Sequence, residues 1–194
     1  MVHHADYANF SKSSPTTAKR ETLQQLLDAY TALETPYLIS NLSNCASLLW
    51  HAYHSLGVNV NWTGFYTRQN YQVSYNSNET STQSSSSPEL LLGPFQGKVA
   101  CQSIQWGKGV CGTAASTAET QVVPDINKFP GHIACDGETK SEIVVPIIKE
   151  ANSSNSKDGD VVAVIDLDCL DLNGFDEVDK EFLEQLAKLL SKSF

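Results

Sequence analysis

The sequence predicts an α+β fold, a mostly antiparallel sheet with helices packed on one face. Two observations carry this. Amphipathic helical stripes open and close the chain, and the long middle holds strand signals interrupted by one small helix. From Ala18, the residues Leu23, Leu26, Leu27, Tyr30 and Leu33 recur at helical spacing, and Leu42, Cys45, Leu48, Leu49, Tyr53 and Leu56 repeat the pattern beyond Pro36. NVNWTGFYT (59–67) alternates and is aromatic and β-branched, so it reads as a strand. Further strand signals are LLLGPF (90–95), KVACQSIQ (98–105), TQVVPDI (120–126), SEIVVPII (141–148) and DVVAVIDLDCL (160–170). VCGTAAST (110–117), small and alanine-rich, suits a short helix. In FDEVDKEFLEQLAKLLSKSF the residues Phe175, Val178, Phe182, Leu186 and Leu189 form one apolar stripe, with acids in the first turns as the helix dipole prefers.

The polar segment 1–18 is expected to be mobile, and 19–194 to be a single domain with one hydrophobic core. Residues 68–88, almost wholly Asn, Ser, Thr and Gln, bury too little apolar area to offset their ordering entropy and read as a surface insertion between two strands. NSSNSKDGD (152–160) reads as a hairpin loop.

Composition narrows the function. The chain of 194 residues is 41% hydrophobic and 18% charged, and no apolar run approaches the roughly 20 residues of a bilayer span. The first residues have neither the basic start nor the apolar block of a secretory signal, so a cytoplasmic location, with the nucleus as an additional one, is expected. A net charge of −9 without a basic stripe disfavours nucleic acid. Five cysteines in such a chain point to catalytic, redox or buried thiols more than to structural disulfides.

Cys101, Cys111 and Cys135 stand in the strand-rich half. No pair has zinc-knuckle spacing and no histidine pair supplies missing ligands, so no metal site is expected. Cys101 lies in an alternating segment and is either a buried small side chain or a functional thiol. Cys111 follows GKGV at a helix start, where the dipole can lower a thiol pKa; close packing beside glycines explains it equally well. Cys135 lies in a loop with His132, which favours a thiolate, and with Asp136, which opposes one. Cys45 and Cys169 read as structural. Asp166 and Asp168 project to one face of a strand. With Glu142 they would form a cluster whose repulsion keeps a proton available near neutrality; the alternative is a solvated sheet face. Trp62, Phe65 and Tyr66 are core or pocket wall.

In order, NWTGFY, LGPFQGKVACQSI, GKGVCGTAAST, VVPDINKFPGHIACDGETKSEIVVPI and VIDLDCL resemble the GAF-domain free methionine-(R)-sulfoxide reductases over about residues 20–192. The resemblance implies a GAF-like sheet of roughly six strands with helices on one side, a pocket roofed by loops, and a homodimer. It implies that Cys135 attacks the sulfoxide and that Cys101 and Cys111 resolve the intermediate. Glu142, Asp166 and Asp168 would hold the sulfoxide and amino groups, and Trp62 and Tyr66 the aromatic wall. The implied substrate is free L-methionine-(R)-sulfoxide. The resemblance further implies no bound cofactor, with thioredoxin, fed by NADPH and thioredoxin reductase, as the external reductant.

The residue types suit that chemistry. A thiolate attacks sulfoxide sulfur only if the oxygen is protonated as it leaves, so nucleophile and acid must sit together. Methionine departs, Cys135 is left as a sulfenic acid, and a second thiol converts it to a disulfide. The competing expectation is a non-catalytic GAF sensor or a redox switch. The absence of an output segment after the closing helix favours the enzyme.

Overall fold

A computed structural model describes residues 15–72, 88–131, 137–149 and 160–194. In chain order the elements are α1 (Pro15–Leu33), α2 (Leu38–Ser55), β1 (Val60–Arg68), β2 (Glu89–Gly97), β3 (Ser103–Gln105), α3 (Gly109–Thr117), β4 (Gln121–Val123), β5 (Ser141–Lys149), β6 (Asp160–Cys169) and α4 (Glu177–Leu190). The six strands form one sheet in the order β3-β2-β1-β6-β5-β4, antiparallel at every pairing. Residues 15–18, expected to be mobile, already belong to α1, and Arg68, expected to open the polar insertion, ends β1. Residues 1–14, 73–87 and 150–159 lie outside the described part, and with them most of the expected mobile segment, the insertion and the hairpin loop.

Strand side chains alternate between two faces, and here both are covered. On one face Phe65, Ile143, Val145, Ile147, Ile165 and Leu167 pack against the apolar stripes of α1, α2 and α4, as the α+β reading anticipates. On the other, Trp62, Tyr66, Val144 and Val164 meet the short α3 through Val110, Ala114 and Ala115. Coverage on both sides explains why β5 and β6 are buried almost without interruption, unlike a sheet with one wet face.

One polar knot ties the three long helices together. Asp176 caps α4, accepting from the backbone N–H of Val178 and Asp179, and Asp179 accepts in return from the Asp176 N–H. Lys19 of α1 lies 2.5 Å from Asp179 and 2.9 Å from Asp176, and the Tyr53 hydroxyl of α2 donates to Asp179 at 2.9 Å. Burial pushes the Asp179 carboxyl up while Lys19 draws it down. The fully buried acid therefore depends on its lysine.

Candidate active site

The central strand β6 sets the site. Asp168 lies opposite Trp62 of β1 and Glu142 of β5, and Asp166 lies opposite Gly64 and Val144. Residues directly opposed across antiparallel strands share a face. Trp62, Glu142, Asp166 and Asp168 therefore converge on one side of the sheet, where α3 lays Cys111 over them. The Cys111 Sγ is 4.0 Å from Glu142 Oε1. A cavity is lined by Trp62, Tyr66, Cys101, Cys111, Glu142, Asp166 and Asp168 among others. These are the candidate residues named from the sequence, apart from Cys135, which lies outside the described residues.

The acids do not sit on a solvated sheet face. Glu142 and Asp166 are 7% and 5% exposed, and Asp168 is half-buried. Burial raises the Asp166 carboxyl to about 7. Burial, then repulsion from Asp166 and Asp168, holds Glu142 well above the usual carboxylate range. The cluster thus retains protons near neutrality. Burial and the same acids also push the Cys111 thiol well above its ordinary value. Of the two readings left open for Cys111, the buried one fits: desolvation beside carboxyl groups outweighs the dipole.

The aromatic wall is built on close backbone approach. Trp62 stacks on Tyr66 and Phe95 with ring centroids 5.6 and 5.4 Å apart. Gly64 makes room for that stack, since a Cβ there would lie 2.5 Å from Phe95 Cβ and 2.7 Å from Trp62 Cη2. The Tyr66 hydroxyl donates to the Cys101 carbonyl at 3.1 Å. Two polar atoms on this wall find no partner among the described residues although both are buried: Trp62 Nε1, a donor, and Asp166 Oδ1, an acceptor. Orphaned buried groups of this kind fit a ligand's polar atoms.

Two strand expectations are corrected. In KVACQSIQ only Ser103–Gln105 is strand; Val99 is 79% exposed, and Cys101 lies on the irregular stretch before β3. Leu92 donates to the Gln102 carbonyl, but regular pairing with β2 begins only at Ser103. In TQVVPDI the strand stops at Val123, because Pro124 follows and Asp125 caps a 3₁₀ turn by accepting from the Asn127 N–H. Cys101 is disulfide-bonded, whereas Cys45, Cys111 and Cys169 are free and Cys45 and Cys169 belong to the helix-covered core. Sequence reasoning passed over Ser103, Lys108 and Thr139, which also line the cavity. Lys108 stands in the quoted GKGV motif, and its position just before the helix that carries Cys111 was the available signal.

A six-stranded antiparallel sheet, with long helices on one face and a cavity on the other, is the architecture of a GAF domain. The GAF domain family model matches residues 21–194. The free methionine-R-sulfoxide reductase of Saccharomyces cerevisiae is 58% identical over 193 residues, covering 98% of this chain and 94% of that protein. Among solved structures, one described as the structure of the GAF domain matches at a TM-score of 0.78 and 57% identity, covering 99% of this chain and 96% of that one. The free methionine-R-sulfoxide reductase from Neisseria meningitidis, solved in complex with its substrate, matches at 0.72 and 35% identity, covering 96% and 93%. The chain belongs to the GAF-domain family of free methionine-R-sulfoxide reductases.

Proposed function

We propose that the protein reduces free L-methionine-(R)-sulfoxide to methionine, with Cys135 as the nucleophile and Cys101 as the resolving thiol. The observation that carries this is the cavity in which buried, proton-holding acids, an aromatic wall and the oxidised Cys101 lie together. The similarity to reductases across nearly the whole chain supports it.

In this reading the Cys135 thiolate attacks the sulfoxide sulfur while Glu142 or Asp166 protonates the oxygen. Methionine leaves, and the oxygen remains on Cys135 as a sulfenic acid. The Cys101 thiol attacks that sulfur, water is lost and a disulfide forms. Cys101 is disulfide-bonded, which suits a thiol that resolves such an intermediate. A dithiol, thioredoxin recharged by NADPH and thioredoxin reductase, then reduces the disulfide by exchange, and no bound cofactor is required. Cys111 is the less suited resolving thiol, because its buried surroundings disfavour the thiolate.

A free amino acid offers the matching charges. Asp166 Oδ1 and Asp168 suit the ammonium, Lys108 the carboxylate, and Trp62 and Tyr66 the S-methyl group. A peptide-bound sulfoxide lacks that ammonium and carries chain on both sides, so discrimination against it follows. The protein acts in the cytoplasm as a homodimer in this reading; among the described residues no helix is long and apolar enough to cross a membrane.

Thioredoxin-coupled NADPH oxidation on a mixture of the two sulfoxide diastereomers tests the proposal. Consumption stops near half of the added sulfoxide, and Cys135→Ser abolishes it while the protein stays folded. A sensor or a redox switch gives no turnover, and full activity in the Cys135→Ser variant removes that residue as nucleophile. Equal rates on a blocked peptide sulfoxide contradict the charge matching, and light scattering reports the dimer.

A further inference from the structure

Cys111, Glu142 and Asp166 bring one sulfur and two carboxylate oxygens within 4.8 Å of one another, all three residues buried. A tetrahedral zinc ion bound at about 2.3 Å to sulfur and about 2.0–2.2 Å to oxygen holds such ligands about 3.5 Å apart. The Cys111 Sγ to Glu142 Oε1 distance of 4.0 Å is half an ångström from that, within the reach of small side-chain rotations. A second observation is independent of the cluster's composition: Asp166 Oδ1, on a residue 5% exposed, has no hydrogen-bond partner among the described residues. The donors come from a helix and two paired strands packed around them, which fixes their positions. Asp168 lines the same cavity.

We propose that Cys111, Glu142 and Asp166 form a binding site for a borderline-soft divalent cation, Zn²⁺, which occupies the cavity and excludes the sulfoxide. Binding displaces the protons of the Cys111 thiol and of the carboxyl groups to solvent, and the resulting mixed thiolate and carboxylate donors favour zinc over magnesium or calcium, which take oxygen ligands alone. The cation is an inhibitor here, because it uses the acids that would otherwise meet the substrate. The site is separate from the redox pair: Cys101 is disulfide-bonded while Cys111 is a free thiol, so the oxidised protein retains the full donor set.

The test uses the full-length protein in its oxidised form, with Co²⁺ as a spectroscopic stand-in. One Co²⁺ per chain is expected to bind with a near-ultraviolet thiolate-to-cobalt absorption, which stoichiometric Zn²⁺ bleaches. Cys111→Ser removes the band, and Glu142→Gln weakens Co²⁺ binding at least tenfold, with circular dichroism reporting that each variant is folded. If Cys111→Ser does not fold, Glu142→Gln and Asp166→Asn carry the test. Absence of the band in the folded oxidised protein overturns the proposal, as does a band that survives in folded Cys111→Ser. Free methionine sulfoxide raises the apparent dissociation constant of Co²⁺; this arm alone rests on the reductase reading, and a lack of competition refutes the shared cavity. A cobalt band in a protein without sulfoxide turnover would leave the metal site standing and remove the reductase reading.

Discussion

The two faces of the sheet are built from the same strands and obey opposite rules. On the helix-covered face, Ile143, Ile165 and Leu167 are fully buried among leucines and aromatics of α1, α2 and α4. One residue along, on the cavity face, Glu142 and Asp166 are nearly as buried but lie beside each other, a thiol and an orphaned indole N–H. Apolar burial on the first face stabilises the fold; enclosed acids on the second cost stability and keep protons and unpaired acceptors ready. The contrast teaches that stability and reactivity are divided by side-chain parity within each strand.

Several substitutions probe this division. Ile165→Ala on the closed face is expected to lose about 3–4 kcal/mol, read from denaturant unfolding, because neighbours on both sheet and helices cannot collapse into the gap. Lys19→Met leaves the buried Asp179 uncompensated and costs about 3 kcal/mol at pH 7. Its pH dependence has a definite sign. Without Lys19 the folded-state pKa of Asp179, already raised, climbs further above the unfolded value. The loss is therefore smallest below the unfolded carboxylate range and grows as pH rises through the folded value. A uniform loss from pH 4 to pH 7 would contradict the depicted knot.

On the cavity face the effects should reverse. Glu142→Gln is expected to lower kcat/KM about 100-fold while leaving the melting temperature unchanged or higher, since a crowded buried acid is removed. A melting temperature lowered as far as by Ile165→Ala would break the comparison. Gly64→Ala is expected to cost about 1–2 kcal/mol and to raise KM, because the new methyl displaces Trp62 or Phe95. Arg20→Ala is the smallest change. Its pair with Glu181 is about half exposed, and the melting temperature should move by no more than about 2 °C.

Much of the fold was legible because it rests on local periodicity. The stripes of α1, α2 and α4 and the alternation of β1, β5 and β6 reflect direct burial, and the sequence encodes burial residue by residue. Two stretches were misread: 124–126, where Pro124 ends the strand, and 98–102, where alternation of Val99 and Cys101 imitates a strand. Pairing depends on a partner edge, and β2 receives a regular partner only from Ser103 onward. Of the site, Asp166 and Asp168 were readable from parity alone. Glu142 was added to them as a third acid by the same reasoning, whereas the resolving roles expected of Cys101 and Cys111 came only from resemblance to a family, since nothing local joins those thiols to the acids.

The sequence by itself determined the fold class, the shared face of Asp166 and Asp168 and, through its motifs, the family of the chain. Only the tertiary structure decided that Cys111 in the first turn of α3 lies 4.0 Å from an acid thirty-one residues away. It also decided that Asp166 is buried with an unpartnered oxygen and that Cys111 is held as a thiol. The reason is physical. Periodicity records whether a side chain is buried, but proton affinity, metal affinity and ligand fit depend on which groups share that burial, and antiparallel register sets this across long stretches of chain.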